Sequence, residues 1–112
     1  LDVPFLMTLG RDDLFACWSR FFDVARAIAK SPVPVAAAIT GHAPAGGCVL
    51  ALCCDRRVMS RSADPAKPYR IGLNETQVGL AVPDAIQFLL RRAVGARVAE
   101  GLVVPGAMVD SG

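Results

Sequence analysis

Charge of either sign is scarce in this chain, and the two signs nearly cancel. Among 112 residues, twelve Lys and Arg face ten Asp and Glu, a formal net charge of +2. That balance excludes the basic stripe of a nucleic-acid binder and the polybasic patch of a membrane-surface protein. Only Arg56-Arg57 and Arg91-Arg92 stand as basic pairs. There is one histidine, His42, and the four cysteines (Cys17, Cys48, Cys53 and Cys54) include no C-x-x-C pair and no histidine at ligand spacing from a pair. This pattern disfavours a zinc site and suits a reducing compartment. A G-x-G-x-x-G turn and a glycine loop ending in Lys-Ser/Thr are also absent, which removes the dinucleotide and P-loop readings. Neither an initiator Met nor a basic leader precedes Leu1, so no targeting signal is readable. Residues 1–112 are expected to be the central part of a single domain whose N- and C-terminal parts are missing.

What the chain has in excess is apolar surface: 54% of its residues are hydrophobic. A chain of this length buries roughly two-thirds of its unfolded surface, enough for one core, and the surplus predicts surface meant for partners. From Ser31 to Cys54 there is no formal charge, a run long enough to raise the question of a membrane span, which takes ~20 apolar residues. Pro32, Pro34 and Pro44, with Gly41, Gly46 and Gly47, cut it into pieces shorter than a bilayer. A buried strand followed by a buried helix explains the same composition, and no membrane span is expected.

Apolar residues at Leu14, Trp18, Phe21, Phe22, Ala25, Ile28 and Ala29 recur at three- and four-residue steps behind Asp12-Asp13. They predict an amphipathic helix over 12–30 with its aromatics in the core. Val35–Thr40 reads as a short buried strand, residues 41–47 as a tight loop, and Cys48–Cys54 as an all-apolar helix enclosed on all sides. A second strand is expected over 55–60, a polar turn over 61–67, and a third strand over 69–71 running into residues 72–77. Helices follow over 83–93, closed near Gly95, and from Ala96 to about Val104. Alternation of strand and helix argues an α/β fold.

Backbone N–H groups of Gly46 and Gly47 at a helix N-terminus suit a developing oxyanion, since the donors are fixed and the helix dipole favours negative charge; close strand–helix packing is the plainer explanation of the glycines. Glu75 lies in an otherwise uncharged stretch with Asn74 and Thr76 beside it. Its surroundings predict partial burial, the setting in which a carboxyl becomes a usable proton carrier, against the plainer role of capping a chain reversal. His42 has no Ser or Cys partner at a recognisable spacing and is read as structural.

Ala43-Pro-Ala-Gly-Gly-Cys48, Leu52-Cys-Cys-Asp-Arg-Arg57 and Ile71-Gly-Leu-Asn-Glu-Thr-Gln-Val-Gly79 together resemble the crotonase (enoyl-CoA hydratase/isomerase) superfamily, and within it the Δ3-Δ2-enoyl-CoA isomerases. The likeness runs from about Ser31 to Ala99, with a weaker match in Leu1-Asp2 and the first helix. It implies an α/β fold of stacked ββα turns spiralling around an acyl-CoA thioester pocket, assembled as a homotrimer or hexamer. CoA is then part of the substrate and no separate cofactor is expected. In that family two backbone N–H groups hold the thioester oxygen, and they carry over onto Gly46 and Leu1.

Hydratases of the family carry two glutamates. The position after Cys48 is here Val49, which exchanges no protons; the other carries over as Glu75. One carboxylate is the complement of an isomerase, which moves a proton from C2 to C4, whereas adding water normally uses both. The resemblance therefore implies a β-oxidation isomerase acting on 3-enoyl-CoA, with Val49 and Leu73 excluding water around the acyl chain. Such an enzyme is cytoplasmic in a bacterium and mitochondrial or peroxisomal in a eukaryote. A hydratase using Asp84 as a second acid, and a non-catalytic acyl-CoA-binding subunit, stay open. Asp84 is read first as a residue of the opening turn of its helix.

Overall fold

The computed structural model describes residues 2–112. A short helix α1 (Val3–Leu6) precedes the long helix α2 (Arg11–Ala29). Strands β1 (Ala36–Ile39) and β2 (Ala43–Pro44) lead into α3 (Gly46–Cys53), followed by β3 (Arg56–Met59) and β4 (Arg70–Gly72). A one-turn 3-10 helix, Glu75–Val78, precedes α4 (Asp84–Val94), α5 (Ala96–Val103) and β5 (Val109–Asp110).

Two small sheets share one crossover helix. Strand β1 pairs parallel with β3, with Ala36 opposite Arg56 and Ile39 opposite Met59. Strand β2 pairs parallel with β4, with Ala43 opposite Ile71 and Pro44 opposite Gly72. Parallel neighbours need a crossover, and α3 lies within both, so one helix joins the two sheets. Asp55 fastens the first crossover: its Oδ2 accepts the Val35 N–H at 2.8 Å and its own N–H donates to Val35 O at 2.8 Å. Arg57 closes the end of α3, its Nη1 donating to Ala51 O at 3.2 Å and Cys54 O at 2.7 Å. Those carbonyls lie at the helix C-terminus, where partners must come from outside the helix.

Helices α2 and α4 pack on α3. The core joins Cys48, Val49 and Leu52 of α3 with Leu73, Val82, Ile86 and Leu90, and with Ala99 of α5. Ile86 and Leu90 stand one helical turn apart, and truncating either to Ala would cost roughly 2–5 kcal/mol. Helix α4 has Asp84 in its first turn and Arg91 and Arg92 in its last, complementing the helix dipole at both ends.

Four expectations need correction. Strand β1, expected to be buried, alternates between exposed and half-buried residues. Helix α3 begins at Gly46, not Cys48, so both glycines lie in its first turn, and a two-residue strand stands inside what reads as a loop. Enclosure of α3 is incomplete: Cys48, Val49, Ala51 and Leu52 are buried, while Leu50 and Cys53 are half-buried. The aromatics of α2 are not all core. Phe21 packs against it, whereas Phe15 is 74% exposed and Trp18 and Phe22 are exposed. Trp18, Phe21 and Phe22 instead cluster on one another, with ring centroids 5.8 Å apart for Trp18–Phe21 and 5.5 Å for Phe21–Phe22, both edge-to-face.

Candidate active site

The β2–β4 pairing brings the glycine turn and the glutamate turn together. Past the paired residues, the Ala45 N–H donates to Gly72 O at 2.9 Å. Gly46 is the next residue on one side of this seam; Leu73, Asn74 and Glu75 follow on the other. Ala45 sits at φ 44°, ψ −112°, a backbone state that L residues rarely adopt and that costs of order 1–3 kcal/mol. This kink turns the chain from β2 directly into α3. Val49 N–H returns to Ala45 O at 2.9 Å, so the first amides without an intrahelical acceptor are those of Gly46, Gly47 and Cys48. Among the described residues, none of these three N–H groups takes part in a hydrogen bond.

Glu75 opens the 3-10 turn and is half-buried. Its Oε2 is buried without a hydrogen-bond partner among the described residues. Buried carboxylate oxygens are normally satisfied, and an orphan is the kind of exception found where a group is reserved for a ligand or a proton. The carboxylate also reaches the N-terminal turn of α3 electrostatically. Burial, and after it the Glu75 charge, pushes the Cys48 thiol up to about 12, against a smaller opposite pull from Arg57. Val49 and Leu73 are 4% and 2% exposed and line the core beside Cys48. A fixed set of free amides therefore lies near an unpartnered carboxylate on an apolar floor.

Other candidates separate from this group. Leu1, expected to supply a second amide, lies outside the described residues. His42 lies one residue before β2, where its Nδ1 accepts the Arg70 N–H at 3.1 Å and its ring meets Tyr69 edge-on at 5.6 Å; this is the structural role read for it. Asp84 is exposed at the start of α4. Two recesses, of about 100 Å³ against Arg57 and Arg92 and about 310 Å³ between α4 and α5, are lined by neither Gly46 nor Glu75. The described residues contain no cluster of three or more His, Cys, Asp or Glu suited to a metal ion, and no helix long and apolar enough to cross a membrane. Ala45 escaped the sequence reading, since nothing in an alanine announces a positive φ.

The sequence pattern of the family described as enoyl-CoA hydratase/isomerase matches residues 7–111. The chain belongs to the enoyl-CoA hydratase/isomerase family. Its fold is the crotonase fold. Human mitochondrial delta3-delta2-enoyl-CoA isomerase superposes with a TM-score of 0.76 at 33% identity, over 83% of this chain and 34% of that one. Human mitochondrial enoyl-CoA delta isomerase 1 is 42% identical over 83 residues, covering 70% of this chain and 26% of the relative. Mouse mitochondrial methylglutaconyl-CoA hydratase is 37% identical over 92 residues, covering 82% and 27%. This family member thus spans about a quarter of the length of the curated relatives it matches, and those relatives include both isomerases and hydratases.

Proposed function

We propose that this chain carries the reacting centre of an isomerase that converts 3-enoyl-CoA to 2-enoyl-CoA in fatty-acid β-oxidation. The observation that carries the proposal is a buried carboxylate oxygen, Glu75 Oε2, with no partner among the described residues, and buried Val49 where family hydratases have their other glutamate. The thioester oxygen of the substrate accepts hydrogen bonds from the N–H of Gly46 and, in the whole protein, of Leu1. Glu75 takes the C2 proton, and the electron pair left behind delocalises through the thioester onto that oxygen. Each fixed amide facing the developing charge is worth on the order of 10²–10³ in rate. Glu75 then returns the proton at C4 as the double bond settles between C2 and C3. Val49 and Leu73 keep water from the acyl chain, so the conjugated product leaves without being hydrated. Every atom that moves belongs to the substrate or to Glu75, and no cofactor is called for beyond the CoA of the substrate.

The activity is assigned to a longer protein, of which this chain is read as the central part of one crotonase-like domain. A homotrimeric or hexameric assembly is consistent with the exposed Val3, Phe5, Met7 and Phe15. A reducing compartment is proposed as its setting, the mitochondrion if the source is eukaryotic, by analogy with the named relatives.

In the full-length protein, Glu75→Gln is expected to lower the rate of 3-enoyl-CoA isomerisation about 10²–10⁴-fold with the fold intact, followed by the absorbance of the conjugated product and by circular dichroism. An unchanged rate would overturn the assignment. The likeness to methylglutaconyl-CoA hydratase favours a second reading, hydration, with exposed Asp84 as the further acid. Hydration of 2-enoyl-CoA at a rate comparable to isomerisation, and lost in Asp84→Asn, would establish it instead; binding of acyl-CoA without turnover would point to a non-catalytic subunit.

A further inference from the structure

The residues flanking Glu75 are gripped by a turn far downstream. Thr76 Oγ1 donates to Val103 O at 3.3 Å, and Gln77 Nε2 donates to Gly106 O at 2.8 Å, both between part-buried groups. Gly106 lies at φ +64°, and a Cβ there would stand 2.6 Å from Thr76 Oγ1, 3.0 Å from Gln77 Cγ and 3.4 Å from Asn74 Cα. The turn that ends α5 thus lies close against Asn74, Thr76 and Gln77 together, while Glu75 Oε2 between them has no partner among the described residues.

These two facts belong together. A carboxylate that must accept and release a proton cannot be aimed by hydrogen bonds of its own without losing basicity to them. Its direction has to come from the backbone that carries it, and a four-residue 3-10 turn is a weak support when alone. We propose that Thr76 and Gln77 are positioning residues, locked onto Val103 and Gly106 so that the Glu75 carboxylate meets the reacting carbons at a fixed angle. The proposal rests on the reading of Glu75 as the proton carrier.

The test compares full-length Thr76→Val and Gln77→Met with Glu75→Gln, and with a matched control. Gln87→Met removes a bond of the same kind, Gln87 Nε2 to Val82 O at 2.8 Å, outside the glutamate turn. Thr76→Val and Gln77→Met are expected to lower kcat about ten- to a hundredfold, the cost of a reacting group misplaced by about 1 Å, with KM within about twofold. Thr76→Ser, which keeps the hydroxyl, restores kcat. Gln87→Met lowers the melting temperature by a similar amount and leaves kcat within about twofold. If Thr76→Val and Gln77→Met keep full kcat while Glu75→Gln loses it, positioning is overturned and Glu75 stands. If Gln87→Met lowers kcat as far as they do, the effect is one of stability and the proposal also falls. Full activity in Glu75→Gln would remove the underlying reading first.

Discussion

Cys48 occupies the first turn of the helix that offers its amides, and its chemistry is set by where it sits. The thiol is 3% exposed, and burial with the nearby Glu75 charge lifts it from 9.0 to about 12. The folded chain therefore holds a proton that the unfolded chain releases near pH 9. That contribution to stability is complete below pH 9 and is lost as pH rises toward 12. The melting temperature is expected to fall more steeply above pH 9 in the parent protein than in Cys48→Ala, as read by thermal denaturation across an alkaline pH series; parallel curves would refute it. The same burial keeps Cys48 from acting as a nucleophile beside the proposed reacting centre, since the thiolate is the reactive form.

At the level of elements, strand β4 is the hub: β2 pairs with it on one side and β5 on the other. Its last residue, Gly72, accepts the Ala45 N–H and also faces the 107–108 backbone, where a Cβ would stand 2.7 Å from Ala107 O and 2.9 Å from Met108 Cα. Gly72→Ala is expected to destabilise the protein by roughly 1–3 kcal/mol through this overpacking, seen as a lower urea midpoint. Because Gly72 anchors the seam, the proposed isomerase activity of the full-length protein should fall further than the stability loss alone explains. The amphipathic helices α2, α4 and α5 were legible within one or two residues, since each repeats its apolar face over several turns. Strands β2 and β5 were not, because two residues define no period. The Gly46 start of α3 was hidden by glycines that read as loop, although it is the tertiary pairing of Ala45 that winds them into helix. Glu75 and Gly46 are singled out by their motifs, and the β2–β4 pairing sets the turns that carry them side by side. The grip of Thr76 and Gln77 was not legible, for its partners are carbonyls of residues 103 and 106, and a carbonyl leaves no mark in a sequence.

Across the whole molecule, apolar excess is only partly absorbed by the core. Phe5, Met7, Phe15, Phe88, Val58 and Val104 are all more than half exposed, while the buried cluster joins α3, α4 and α5 with Leu73 and Val82. That distribution suits a chain whose α3 lies deep in a larger fold, with α1 and α2 offering an apolar surface to other elements.

The seam between Ala45 and Gly72 also separates position from connection. The segment between β3 and β4, residues 60–69, is largely exposed and makes its own small turn, with Asp64 Oδ1 accepting the Ala66 N–H at 2.9 Å. Since the glutamate turn is registered by strand pairing and not by the length of this link, lengthening the link changes only loop entropy, about 0.6 kcal/mol per doubling. A short Gly-Ser insertion after Ala63 in the full-length protein is expected to leave the proposed isomerase activity and the melting temperature nearly unchanged, and a loss of activity comparable to Gly72→Ala would show that the link, not the pairing, places Glu75. Segment 60–69 is thus the place where this fold can drift in length, or accept a fluorescent or affinity label, without disturbing Glu75, three residues past the strand it leads into.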